Sequence, residues 1–237
     1  MIAAWIGAHA PPGTAAAEAP VDEAAPFDAA EAAAVARAVP RRRREFLTGR
    51  RLAREALARL GCPPVGIPPD ESRVPVWPDG YLGSISHTGS LCVAHVGRRR
   101  DLLGIGIDIE ADAPLSADLS RLICRPEETG DAAPDGLDPV LARFAAKEAF
   151  YKAYFPQART FLDFQDVRVD LDLADGRFAA KIVDPCKPAL AGQRVFPGRI
   201  ARLAGHVVAA LWVEPEPTRR PPGAGAGPGT AHRPAGD

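Results

Sequence analysis

Residues 102–110 read Leu-Leu-Gly-Ile-Gly-Ile-Asp-Ile-Glu, and their alternation decides how the chain is built. Ile105, Ile107 and Ile109 take every second position, with Gly106, Asp108 and Glu110 between them, which is the period of a β-strand. The isoleucines are expected to enter a core, and Asp108 and Glu110 to leave together on the opposite face near the strand's end. Two carboxylates held that close repel each other unless solvent or a cation screens them. A hard cation such as Mg²⁺ suits them, because it takes oxygen ligands octahedrally and completes its shell with water and phosphate oxygens. A solvated strand end is the competing reading of an isolated Asp-x-Glu.

Further along, residues 144–152 read Phe-Ala-Ala-Lys-Glu-Ala-Phe-Tyr-Lys. On a helix Glu148 and Lys152 project from one face, with Phe144 one turn above them. Ala145, Ala146, Ala149 and Ala153 permit close packing, while Phe150, Tyr151, Tyr154 and Phe155 supply bulk, so the helix is expected to lie against a core. An exposed Glu–Lys pair, worth a few tenths of a kcal/mol, is the bland alternative. Joined to Asp108 and Glu110, Glu148 completes a three-carboxylate site.

Upstream, residues 83–90 read Gly-Ser-Ile-Ser-His-Thr-Gly-Ser and lead into the apolar run 91–96. Hydroxyls around one histidine at the entry to a buried strand suggest a phosphate-contacting turn, in which Ser86 and His87 donate to phosphate oxygens. A structural histidine is the competing reading, and His95, inside the strand, is read as structural.

Taken in order, these segments resemble the 4′-phosphopantetheinyl transferases, specifically the monomeric type that activates nonribosomal peptide and polyketide synthases and includes the enterobactin-type enzymes. That family carries a Ser-x-Ser-His segment, then Gly-(Ile/Val)-Asp-x-Glu, then a helix with Lys-Glu-Ala-x-x-Lys. Here these are residues 84–87, 106–110 and 147–152. The resemblance extends to residues 41–61, 74–80 and 161–166, and so runs over most of residues 40–213.

The resemblance implies an α+β fold of two similar halves related by a pseudo-twofold axis, with coenzyme A in the cleft between them. It implies transfer of the phosphopantetheine arm of coenzyme A to a serine of an apo acyl or peptidyl carrier protein, releasing adenosine 3′,5′-bisphosphate. Mg²⁺, or Mn²⁺ in its place, would be held by Asp108, Glu110 and Glu148. Glu148 would take the serine proton, directly or through a water on the metal, and Lys152 would balance or protonate the leaving bisphosphate. Between the acidic pair stands Ile109, where some relatives have a polar side chain. By family position Arg50 and Arg54, with His87, are expected on the 3′-phosphate and nearby oxygens, and Arg73 beside them; arginine's planar fork suits phosphate. A different Mg²⁺-dependent phosphoester enzyme and a non-catalytic coenzyme A- or carrier-binding module are the rival readings.

Composition agrees with a cytoplasmic enzyme. The chain has 237 residues, 46% hydrophobic and 25% charged, with a formal net charge of −1. That balance, without aromatics interleaved among the basic residues, argues against nucleic acid as a partner. Arg41 to Arg44 are read as a solvated, self-repelling helix start. Cys62, Cys92, Cys124 and Cys186 show no metal-ligand spacing and are expected to be free thiols, two of them buried. The first residues lack a basic leader, and no apolar run reaches the length of a membrane span.

Breaks in pattern divide the chain into an N-terminal half, 1–102, a C-terminal half carrying the metal site, 103–213, and a disordered, dispensable tail, 214–237. Residues 10–26 are expected to be irregular, and Asp28 to cap a helix reaching Ala38. Residues 44–60 have helical spacing, and 115–123 read as a helix followed by a mobile loop over 125–139. Strands are expected at 82–86, 91–97 and 206–213, with a hairpin over 167–183 turning at Asp175-Gly176. Residues 121–139 and 154–164 are candidate carrier-docking segments.

Overall fold

The computed structural model describes residues 1–128 and 136–215. The tail from residue 216 and residues 129–135 of the predicted mobile loop lie outside the described residues.

Two antiparallel sheets divide the strands. The first, in the order β1-β3-β2, contains β1 (Thr14–Pro20), β2 (Tyr81–His87) and β3 (Leu91–Arg98). The second, in the order β4-β8-β7-β6-β5, contains β4 (Gly104–Ala111), β5 (Val167–Asp172), β6 (Arg177–Ile182), β7 (Val195–Leu203) and β8 (His206–Val213). Each sheet carries one 20-residue helix, α3 (Pro40–Arg59) on the first and α5 (Pro139–Ala158) on the second. Shorter helices α1 (Ile2–His9), α2 (Ala29–Ala34) and α4 (Ala117–Ile123) complete the α+β fold.

Serines sew the two sheets together. The Ser84 and Ser86 hydroxyls on β2 accept the backbone N–H groups of Ile107 and Ile109 on β4, at 3.1 and 3.2 Å. The alternation read from residues 105–110 is present: the isoleucines are buried, with Ile107 and Ile109 meeting Ile2 and Ile6 of α1. On the other face α5 lies so close that a Cβ on Gly106 would come within 1.8 Å of the Ala149 carbonyl oxygen. Glycine there lets the backbones touch, and the helix consequently lays Lys152 beside Asp108.

Several expectations need correction. Residues 10–26 are not irregular throughout, because Thr14–Pro20 pairs with β3 along its whole length. Alanine is a poor strand former, and the partner edge and tight packing override that preference. The helix capped by Asp28 ends at Ala34, not Ala38, before Val39 extends and Pro40 opens α3. Three cysteines are buried, Cys62, Cys92 and Cys124, and all four are free.

Candidate active site

A cleft of about 660 Å³ separates the walls built by the two halves. Arg42, Arg50, Arg73 and His87 line one side, and Glu148 and Lys152 of α5 the other. Behind Lys152 lies the buried carboxylate of Asp108. The Lys152 ammonium donates to Asp108 Oδ1 at 2.6 Å and to Ser86 Oγ at 3.0 Å, while Ser86 donates to the same Asp108 oxygen at 2.9 Å. Asp108 Oδ2 is buried with no hydrogen-bond partner.

The three predicted carboxylates share one electric field. Burial, then the negative charge of Asp108, pushes the Glu110 carboxyl up to about 7 against the pull of Lys152, and Glu148 adds to the rise. Glu148 itself is raised by burial, with Lys152 opposing and Asp108 reinforcing. Among the described residues no group of three His, Cys, Asp or Glu stands close enough to hold a metal ion, and Lys152 serves as the counter-charge. The donor set nevertheless fits a hard divalent cation. Asp108 offers a buried oxygen with no hydrogen-bond partner, and Glu110, held protonated by burial and by the Asp108 charge, would be ionised more readily beside a cation.

Ser86 does not take the role expected of it. Its hydroxyl donates to Asp108 and accepts from Ile109 and Lys152, which exhausts its capacity, and it is buried away from the cleft wall. It orients Asp108 and Lys152 rather than reaching phosphate. His87 does line the cleft, where its Nε2 accepts from Arg42 at 2.7 Å. Burial lowers its pKa, Glu45 opposes and Arg42 adds to the fall, so it faces the cleft as a neutral ring at neutral pH.

Arg50 is buried against the cleft wall, with Nε donating to the Ile67 carbonyl at 2.7 Å and the guanidinium 4.2 Å from the Phe46 ring centroid. Burial lowers its pKa to about 10, which leaves it charged. Arg73 stands in the left-handed region at φ 66° and contributes an exposed charge. Arg54 does not join this lining. Its guanidinium is 2.5 Å from Glu31 and lies over the Phe27 ring. Glu31 is fully buried and also accepts from the Ile67 and Phe27 N–H groups, so Arg54 answers a buried carboxylate.

Arg42 is the residue that the sequence reading missed when it assigned residues 41–44 to solvent. The signal lay in helical phase: positions 42, 46 and 50 follow one another at four-residue intervals and share a face once Pro40 starts the helix. Lys147, the first lysine of the Lys-Glu pair, is spent internally. Its ammonium donates to Glu128 at 2.8 Å, to the Ile123 carbonyl at 2.8 Å and to the Phe164 carbonyl at 3.0 Å. Those bonds hold a second, largely apolar pocket of about 230 Å³, which Tyr151, Phe161, Leu162 and Phe164 line and which Glu148 shares with the cleft.

Comparison with known proteins gives concordant matches in both halves. Residues 30–97 match the family model of the 4′-phosphopantetheinyl transferase N-terminal domain, and residues 104–193 that of the 4′-phosphopantetheinyl transferase superfamily. The 4′-phosphopantetheinyl transferase Svp of Streptomyces mobaraensis is 39% identical over 222 residues, covering 90% of this chain and 89% of the relative. The 4′-phosphopantetheinyl transferase PptT of Mycobacterium tuberculosis is 38% identical over 160 residues, 65% of this chain and 70% of its own. Enterobactin synthase component D of Escherichia coli (strain K12) is 39% identical over 134 residues, 53% of this chain and 61% of its own.

Proposed function

The chain belongs to the 4′-phosphopantetheinyl transferase superfamily, and we propose that it moves the 4′-phosphopantetheine arm of coenzyme A onto a serine hydroxyl of an apo acyl or peptidyl carrier protein in the cleft bordered by Glu148 and Lys152. The carrier serine oxygen bonds to the phosphorus bearing the arm. The bond from that phosphorus to the bridging oxygen breaks, and its electrons leave with adenosine 3′,5′-bisphosphate.

The single observation that carries this reading is the position of Glu148, at the boundary between a basic cleft and an apolar pocket. Phosphates suit the side lined by Arg42, Arg50 and Arg73, and the uncharged arm suits the other. Glu148 is then the group placed to accept the serine proton, and Lys152 the cation nearest the departing phosphate. Asp108, Glu110 and Glu148 would hold Mg²⁺ or Mn²⁺. That ion would neutralise charge growing on the phosphates when bound. Arg50, Arg73 and His87 are retained as coenzyme contacts and Arg42 is added. Arg54 and Ser86 are reassigned to holding their neighbours.

We divide the chain at residue 103, supported by the change of sheet between Arg98 and Gly104. A monomer in the cytoplasm fits four free cysteines. Among the described residues no helix is long and apolar enough to cross a membrane.

The test is intact-mass spectrometry of an apo carrier protein incubated with the enzyme, coenzyme A and Mg²⁺, beside an EDTA control and a Glu148→Gln variant. A mass gain of one phosphopantetheine, suppressed by EDTA and lost in the variant, is the expected outcome. No gain on peptidyl, polyketide or fatty-acid carriers overturns the transferase reading; a gain indifferent to EDTA removes the metal.

A further inference from the structure

The segment joining α3 to β2 has almost no regular structure, yet part of it is tightly closed. Asp70 N–H donates to the Val74 carbonyl and Asp70 Oδ1 accepts from Val74 N–H, both at 2.8 Å. Val76 N–H reaches the Pro68 carbonyl at 2.8 Å, and Arg73 N–H the Asp70 carbonyl at 2.9 Å. A turn closed by four such bonds moves as one piece. Pro69, Arg73 and Val74 of this turn line the cleft.

Opposite stands the end of α5, where Tyr151, Phe155 and Pro156 line the same cleft. Pro156 has no N–H, so the Lys152 carbonyl receives no helical bond from it. The helix stops at Arg159, which takes the left-handed conformation at φ 49° and closes on the Phe155 carbonyl. From there the Arg159 guanidinium crosses to the other half and meets Asp70 Oδ2 at 2.6 Å. Among the described residues this is the ion pair that joins the two halves. Asp70 therefore holds its own turn with one oxygen and the far wall with the other.

We infer that Asp70 and Arg159 form a clasp, a positioning pair that ties the 69–75 turn to the end of α5 and so sets how tightly the cleft holds coenzyme A. The inference rests on the reading of that cleft as the coenzyme site. Burial works against ionisation of Asp70, but the hydrogen bonds from Arg159 and Val74 hold its carboxyl below the ordinary range. The side chains are 24% and 53% exposed, so the pair is partly screened by water. A pair of that kind changes an equilibrium by about two- to fivefold. Neither group reaches the reacting atoms. Its loss should therefore alter coenzyme affinity and leave the chemical step alone.

The experiment is a double-mutant cycle on the full chain with Asp70→Asn and Arg159→Gln. Asparagine keeps an oxygen for Val74 N–H, so the turn itself is preserved. Each single variant is expected to raise Kd and KM for coenzyme A about two- to fivefold, with kcat and melting temperature unchanged. The double variant should be no worse than either single, and Arg159→Lys should recover most of the affinity. Unchanged affinity in both singles, additive losses, or a fall in kcat or melting temperature without a change in Kd would overturn the clasp. A parent that binds coenzyme A and transfers its arm while the variants match it removes the clasp alone. A parent that does not bind coenzyme A removes the clasp together with the reading of the cleft.

Discussion

Arg42, Arg50 and Arg54 stand at spacings of eight and four residues on one helix, yet the fold assigns them different work. Arg42 lines the cleft beside His87, to which it donates, and Arg54 answers Glu31, a carboxylate with no exposure to water. Removing one partner of a buried pair strands the other charge, which costs about 3–5 kcal/mol. Arg54→Ala is therefore expected to lower the melting temperature sharply, with coenzyme affinity in the surviving folded fraction close to the parent's. Arg42→Ala should do the reverse, raising KM for coenzyme A with little change in melting. Thermal unfolding and coenzyme titration on both variants decide between these assignments, and a specific affinity loss in Arg54→Ala would restore the phosphate role first read for it. The sequence made part of the site's geometry legible, since Glu148 and Lys152 do share a helix face on the cleft and Lys152 does meet Asp108. It did not show direction. Which arginine faces the cleft depends on where α3 begins, and whether Ser86 meets phosphate depends on a neighbouring strand that no local pattern announces.

Elements were legible in proportion to their periodicity. The alternation of 105–110, the hairpin of 167–183 and the final strand over 206–213 are present because each buries one face of an antiparallel sheet. β1 was invisible because an alanine-rich stretch has no strand signature of its own. β7 was missed because Pro197 and Gly198 interrupt its pattern. The register explains Gly198, where an added Cβ would come 2.2 Å from the Phe178 ring. Glycine at 106 carries more weight for function, because an added Cβ there would come 1.8 Å from the Ala149 carbonyl oxygen of α5, a closer clash than the 2.9 Å at Gly104. Gly106→Ala has to push the helix away from the strand, and with it Glu148 and Lys152 from Asp108. The expected result is a loss of transfer well beyond the loss of stability, since a displacement of about 1 Å at a catalytic group can lower a rate by about 100-fold. Circular dichroism with carrier-loading rates checks this. A variant that is folded and within a few-fold of parental activity would show that the helix position is not what aligns the site.

At the scale of the whole molecule the junction between the sheets holds an unpaired group that ties stability to pH. His95 on β3 is completely buried, edge-on to Trp212 of β8 at 5.9 Å between ring centroids, and neither of its ring nitrogens has a hydrogen-bond partner. Burial alone lowers its pKa from 6.5 to about 3. Between those values the unfolded chain takes up a proton that the folded chain refuses, so His95 costs nothing above the upper value and destabilises progressively as the pH falls toward the lower one. Each pH unit in that window is worth about 1.4 kcal/mol, so moving from pH 7 to pH 5 should remove about 2 kcal/mol through this residue. Glu110 acts with the opposite sign. Its carboxyl is raised from 4.5 to about 7, so the folded chain binds the extra proton and stability falls as the pH rises through that range. The two slopes partly cancel in the parent, and only their difference shows in a single denaturation series. His95→Leu removes one slope and leaves the other. Urea midpoints measured for both proteins at pH 5, 6 and 7 should therefore show the variant gaining on the parent as the solution is acidified. Parallel curves would mean that the buried imidazole is already satisfied by water or is protonated in the folded state.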